Sequence, residues 1–541
     1  MERLSTLPPE LLKNVFAFLR QPKDMKSVCL VNKQCHGLMA PILWETLPSD
    51  LQLSTSKTLE ALLSPQSNIL RYIRRLIFYP GCTEPASVTS IEEPMRDNVL
   101  LLLTALPKDR LISFYSHVAI SASLLQFVIQ THRQLELISS NVLTQLHLTP
   151  WVRQHLGNVR ALETYVPLEK EKATISLENL RFLIDNTPKL NTLHISVDQT
   201  EDTDTDYADI SSISSEISGG SSQPLKLKSL TLEHLDLRSA VALIGRIDIL
   251  NSLVHLKICD CGNLRLILTS MTTLFSGDNK PALRTLEIYV SGDPRKGKEV
   301  VLAMERFLLS FSGLTALFLD MFAIELVSKE SIINHAQSLT ELGVCSSQAF
   351  LPTHHSIADL TAILEACPEL TQLALDLSPG YLGAWHELCQ DFQLGSSTGY
   401  AHVETEMEAT LRIIAQHPKL HTLRMLDLAG DTLATEPSAD LWNFQGIPSY
   451  GQSVATIIMQ KFASTIVLYL AQAGSGIKLF APWPIVPHQP WPEDKNGHQW
   501  PRYAYLRGRV TDGQGVEQTV ATPLADPLRD MPESSIINRY W

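Results

Sequence analysis

The run LEIYVSGDPRKGKE at 286–299 holds the residues best spaced in this chain for phosphate chemistry. Gly292, Gly297 and Lys298 have P-loop spacing after an apolar strand, and Asp320 closes a second apolar strand, ALFLD at 316–320. Such a loop would cradle phosphates on backbone N–H groups, with Lys298 on the phosphates and Asp320 beside a magnesium ion. The pattern fails at its next position. The hydroxyl residue that ligates magnesium is replaced by Glu299, whose charge opposes the phosphates. Both strands also fit a repeat set out below, so nucleotide binding through 292–298 is kept only as the remote alternative.

Other chemistry is absent from the sequence. No G-x-S-x-G occurs, and none of the 17 histidines lies in an H-E-x-x-H pattern. Cys259 and Cys261 have no second Cys or His pair at zinc spacing, so neither a metal nor another cofactor is expected. Eight cysteines in 541 residues, with no N-x-S/T sequon, read as reduced thiols of an intracellular protein, cytoplasmic or nuclear.

The elements that would hold any functional side chain are clearer. At 44% apolar and 19% charged residues, most of the chain should fold, and 541 residues exceed one ordinary core. A formal charge of −13 argues against a nucleic-acid partner, and RYIRR at 71–75 is too short for a basic patch. The start MERLSTLPPE lacks the cationic and apolar runs of a secretory signal. The most membrane-like stretch, 453–472, is broken by Gln460 and Lys461. It reads as a buried or amphipathic helix, and no membrane partner is expected.

A six-residue phrase, L-x-x-L-x-L, recurs through the middle of the chain. It begins at Leu190, Leu227, Leu253, Leu283, Leu314, Leu339, Leu370 and Leu420, with weaker copies at Ile73, Leu111, Leu135 and Val159. Helical stretches such as 356–367 and 406–417 lie between phrases and stop at a proline, as in CPEL and HPKL. This pattern resembles a leucine-rich-repeat solenoid. The fourth and sixth positions of each phrase share one face of a short strand, and neighbouring units must stack to bury them. Each buried Leu or Ile contributes about 1.5–3 kcal/mol.

The positions between the buried leucines should face outward on the concave side. They include His194, Glu233, Lys257, Tyr289, Phe318, Asp320, Asp376 and Arg424, and they form the expected substrate-binding set. Tyr289 and Phe318 would be exposed aromatic anchors there, or else would cover irregular strands or the C-terminal tail. The acidic, Ser-rich stretch 198–224 reads as a disordered insertion. The Pro/Trp-rich tail 481–541 reads as extended backbone plus a strand pair around Asp512-Gly513, capping the solenoid's open end.

The first fifty residues read as three short helices: one opened by Pro8-Pro9, one capped by Asp24 after a break at Pro22-Lys23, and one capped by Asn32. So small a unit cannot bury all its apolar side chains, which points to a protein partner. The run LPPELLKNVFAFLRQPKDMKSVCLVNKQCHGLMAPILWETL resembles the F-box. Leu7, Pro8, Glu10, Leu11, Leu12, Val15, Phe18 and Leu19 match its first-helix motif. Val31 matches the valine before its third helix, and Leu43 and Trp44 its terminal pair. The chain departs from the family at Cys35, where many members carry an aromatic residue.

The resemblance implies docking on the SCF adaptor subunit, and through it on cullin, with the repeats as a substrate-binding arm. The expected fold is therefore α/β: a leucine-rich-repeat solenoid with an N-terminal three-helix F-box. Its divisions are F-box 1–50, irregular repeats 51–197, insertion 198–224, repeats 225–480 and tail 481–541. The expected function is a non-catalytic substrate-recognition subunit of an SCF-type ubiquitin ligase. A leucine-rich-repeat scaffold that joins no ligase is the alternative.

Overall fold

A computed structural model describes residues 7–16, 19, 22–50, 56–79, 93–142, 154–167, 170–197, 208–209, 226–238, 251–276, 281–290, 294–321, 325–346, 355–376, 406–426, 450–482, 504–511, 513–524 and 527–538. The chain divides into two compact units, Met1–Leu253 and Val254–Trp541.

All twelve repeat phrases become strands, and each strand starts at the third residue of its phrase. The first unit contains β1 (Thr46–Asp50), β2 (Arg75–Tyr79), β3 (Ser113–Ile120), β4 (Leu137–Val142), β5 (Ala161–Val166), β6 (Thr192–Val197), β7 (Ala208–Asp209), β8 (Ser229–Glu233) and β9 (Leu235–Asp236). Strands β1 to β6 and β8 lie side by side in chain order, all parallel, while β7 pairs with β9.

The second unit contains β10 (His255–Cys259), β11 (Thr285–Val290), β12 (Ala316–Met321), β13 (Glu341–Cys345), β14 (Gln372–Leu375), β15 (Thr422–Met425) and β16 (Leu479–Ala481), again parallel and in chain order. Two antiparallel strands follow, β17 (Tyr505–Thr511) and β18 (Glu517–Pro523). The architecture is mixed α/β, with mostly parallel sheets that stay open.

The register follows from burial. Third positions pair with third positions: Arg75 with Ser113, Thr285 with Ala316, Ala316 with Glu341. A slip of one residue would turn every leucine to the wrong face. First, fourth and sixth positions such as Leu283, Leu286 and Ile288 are buried. Threonines at the second position add a ladder across repeats. Thr315 donates to the Arg284 carbonyl at 3.1 Å, Thr340 to that of Thr315 at 3.0 Å, and Thr371 to that of Thr340 at 3.1 Å.

The weaker phrases are weak for a visible reason. Their sixth positions include Ser116, Ser140 and Thr164, which are nevertheless buried. Thr164 donates to the Ser140 carbonyl at 3.3 Å, so its hydroxyl is satisfied inside. Two further strands have phrases the sequence pattern passed over. They begin at Trp44 (WETLPS, β1) and Ile477 (IKLFAP, β16), each with a proline among its last residues.

Helices close the repeats. Ser121 and Ser356 cap theirs by accepting from the N–H groups of Leu124 (3.3 Å) and Asp359 (3.1 Å). The helices Ile357–Ala366 and Glu406–Gln416 end before Pro368 and Pro418, as expected. Buried imidazoles staple two helix ends to the preceding turn. Nδ1 of His132 accepts from the Arg110 N–H at 3.3 Å, and Nδ1 of His335 from the Leu314 N–H at 3.4 Å.

Phe307 stacks with Phe275 (5.6 Å between ring centres) and Phe311 (5.1 Å) in the helical layer of the second unit. Phe307→Ala is expected to cost about 3–5 kcal/mol through the cavity it leaves. Denaturant unfolding followed by hydrogen exchange in this unit measures it, and a loss under about 1 kcal/mol would show that the site collapses.

The helix Tyr450–Gln472 is laid against β18. Its Ser464 accepts from the Ala521 N–H at 3.3 Å and its Gln460 donates to the Ala521 carbonyl. Those groups belong to an edge strand, so the helix blunts a template for further pairing. Among the described residues no helix is long and apolar enough to cross a membrane.

Three expectations need adjustment. The second helix runs Pro22–Cys29, so it starts at Pro22 rather than after Asp24. Proline's fixed φ suits the first helical position, and Asp24 instead adds its charge to the first turn. The first helix, Pro9–Phe16, closes before Leu19. The insertion 198–224 lies outside the described residues apart from Ala208–Asp209. The tail does more than cap an end, as shown next.

Candidate functional site

The N-terminal helices have a small core of Leu12, Phe16, Cys35 and Met39, with Leu7, Leu19 and Ile42 packed on it. Asn32 caps the third helix, Lys33–Leu43, accepting from the Cys35 N–H at 2.8 Å. Cys35 thus fills a core position with a small side chain. This core cannot cover everything. Leu11 is 50% exposed, Val15 46%, Leu30 86% and Val31 53%.

The matched positions therefore separate into two groups. Pro8, Glu10, Leu11, Val15 and Val31 are exposed, whereas Leu12 is buried and Leu7, Leu19, Leu43 and Trp44 are half-buried. The expectation that Leu12 contacts a partner is corrected: the helix turns it into the module's own core. Trp44 opens the β1 phrase and its backbone N–H caps the helix on the Ala40 carbonyl. Phe18 lies outside the described residues.

On the strands, the odd phrase positions from the third onward face away from the leucines. In the first unit this face is partly accessible. His194 Nε2 lies 3.2 Å from Glu233 Oε2, and the rings of His117, Tyr165 and His194 follow one another at 5.6 and 6.2 Å. Burial pulls the His117 imidazole below its usual pKa, with Glu163 opposing. Burial pushes the Tyr115 phenol up, and Glu163 adds to it.

At the start of the second unit, Lys257 sits 5.6 Å over the Tyr289 ring. His255 lies 3.2 Å from Glu287, which also accepts from the Tyr289 hydroxyl at 3.2 Å.

Five of the eight residues expected on the outer face are buried: Tyr289, Phe318, Asp320, Asp376 and Arg424. The C-terminal segment packs directly on two of them, Phe318 and Arg424. Ala504, Leu524, Met531, Ile536 and Ile537 pack with Phe318, Cys345 and Ala374 in one apolar cluster. Arg424 Nη1 donates to the Ile536 carbonyl at 2.8 Å. Gln372 donates to the Glu533 carbonyl at 2.8 Å and accepts from the Ile536 N–H at 3.0 Å. The Thr422 and Ser534 hydroxyls lie 2.7 Å apart. So the tail not only extends the sheet through β17 and β18; it also covers the odd-position face of β12 to β15.

Beneath it is a polar knot. Asp376 accepts from the Ser346 N–H at 2.9 Å. The Cys345 thiol is pushed well up by burial, then by Asp320 and Asp376, with Arg424 opposing. Burial lowers Arg424 to about 10, still charged at neutral pH. Gln372 and Thr422 were not singled out from the sequence. Most phrases have a polar third position, so nothing local marked these two, whose partners lie over 100 residues away.

The nucleotide reading finds no support in the geometry. Gly297 and Lys298 lie inside the helix Pro294–Leu309 rather than on a loop. Lys298 is 3.5 Å from Glu325, Glu299 is 2.8 Å from Arg265, and Asp320 is buried. Gly292 is outside the described residues. Among the described residues no group of three or more His, Cys, Asp or Glu is placed to hold a metal ion.

No family model matches the chain, and comparison with curated proteins gives no significant match.

Proposed function

We propose that the chain is a substrate-recognition subunit of an SCF-type ubiquitin ligase, with residues 1–50 as an F-box and the repeats as a leucine-rich substrate arm. One observation carries this reading. Leu11 and Val15, one helical turn apart, and Val31 are exposed apolar residues at positions where the F-box resemblance expects partner contact. A module that holds its own core yet presents such side chains to water is built to dock.

The role is positioning rather than bond chemistry. The helices bind the adaptor and so cullin, the arm holds a protein substrate in the cytoplasm or nucleus, and ubiquitin transfer gains from raised effective concentration. The partly accessible face bearing His117, Tyr165, His194 and Glu233 belongs to the arm, with a mix of aromatic and charged groups suited to a protein partner.

The test mixes purified full-length protein with the SCF adaptor. Wild type is expected to bind, and a variant with Leu11→Asp and Val15→Asp to lose at least about 100-fold in affinity with unchanged thermal unfolding. No binding by wild type would leave the repeat scaffold as the reading.

A further inference from the structure

The C-terminal segment that covers β12 to β15 is held in an uncommon way for a core element. It comprises a short helix, Pro527–Asp530, a turn, and a 3₁₀ turn, Ser535–Asn538. Its main chain is read by strand side chains. The Gln372 amide engages both the Glu533 carbonyl and the Ile536 N–H, and Arg424 takes the Ile536 carbonyl. Its side chains are sorted by chemistry: the Ser534 hydroxyl meets Thr422, and Ile536 and Ile537 enter the apolar cluster around Phe318 and Ala374. Main-chain hydrogen bonds for affinity plus pockets for particular side chains is the arrangement of a peptide-recognition surface.

The strand side points the same way. Repeats whose outer face is permanently covered gain most from apolar residues there, because buried polar groups cost free energy unless every one is matched. Here that face carries Asp320, Gln372, Asp376, Thr422 and Arg424, groups that water could also satisfy, beside the apolar Phe318, Cys345 and Ala374.

We propose that the odd-position face of β12 to β15 is a peptide-binding site and that residues 531–537 are its tethered occupant. The partner is a protein segment of the same chemistry, two small hydroxyl residues followed by two β-branched aliphatic residues in one 3₁₀ turn. The tether gives the internal segment an effective concentration on the order of millimolar, so a partner enters only as the segment leaves. This deepens the substrate-arm reading and rests on it for the fate of whatever binds.

The experiment needs neither adaptor nor ubiquitin. Cys345 is buried in the cluster with Ile536 and Ile537, whereas Cys367 is buried at a helix end outside that cluster. In the full chain, Ile536→Asp with Ile537→Asp is expected to raise maleimide labelling of Cys345 at least about 10-fold while Cys367 stays protected. A fluorescent peptide of residues 531–538 should then bind the opened variant saturably and restore protection of Cys345. A scrambled peptide should do neither, and adding Gln372→Ala should weaken the peptide at least about 10-fold.

Labelling of Cys367 together with Cys345 would show that the unit unfolds without the segment, and the proposal fails. It also fails if Cys345 stays protected, or if the opened variant ignores the peptide. Peptide binding without adaptor binding would leave a peptide-binding scaffold. Adaptor binding without peptide binding would leave a ligase subunit that uses another face.

Discussion

Lowering the pH from 7 to 4 is expected to destabilise each unit by about 3 kcal/mol through one buried histidine. His132 in the first unit and His335 in the second are each held down from 6.5 to about 4. Burial is the main cause in both, opposed by Asp109 for His132 and by the Leu308 carbonyl for His335. The direction follows from the accepting role of each ring, since Nδ1 takes a backbone N–H only when it carries no proton.

In the unfolded chain these imidazoles bind protons as the pH falls through 6.5, while the folded chain resists until about 4. Stability is therefore intact above about 6.5 and is lost progressively down to about 4. His117 and His421 are lowered in the same direction by burial and add to the loss. Hydrogen exchange resolves the two units separately. His132→Gln should flatten the pH profile of the first unit only, and His335→Gln that of the second only. Unchanged profiles in the double variant would mean that other groups govern acid stability.

Arg424→Leu is expected to destabilise the second unit by about 3–5 kcal/mol. The guanidinium is fully buried and donates to the Ile536 carbonyl. It also opposes the acidic pair that raises the Cys345 thiol. Leucine would fill part of the volume but leave that carbonyl without its donor and remove the positive charge that opposes the acidic pair at Cys345. Arg424→Lys keeps the charge without the planar fork and should recover only part of the loss. Denaturant unfolding compares the three proteins. A Leu variant within about 1 kcal/mol of wild type would show that the charge brings no net stability here, as happens for some buried ion pairs.

How much of this was legible beforehand depends on the range of the interaction. The phrase beginning at Leu314 specifies its strand, its register and its buried face by itself, because the period of two and the leucine spacing act over six residues. Phrases with Ser116 or Thr164 at the sixth position were harder to read, since a hydroxyl stands where the pattern asks for a leucine, and that of Thr164 is satisfied by the Ser140 carbonyl of the neighbouring repeat. The Asn32 cap was local and was legible; the start of the second helix at Pro22 was equally local and was misjudged.

The exposure of Leu11 and Val15 followed from a simple count of apolar residues against the size of a fifty-residue module.

The sequence by itself thus determined the repeat, its open parallel sheets and an N-terminal module with surplus apolar surface, since short-range periodicity and composition govern each. Only the tertiary structure decided which outer-face residues stay open. His194, Glu233 and Lys257 remain partly accessible, while Phe318 and Arg424 are covered by residues 531–537 and Asp320 and Asp376 are buried. The physical reason is that the covering contacts join residues more than 100 positions apart, such as Arg424 with Ile536. No local pattern encodes which distant segment comes to lie on which strand.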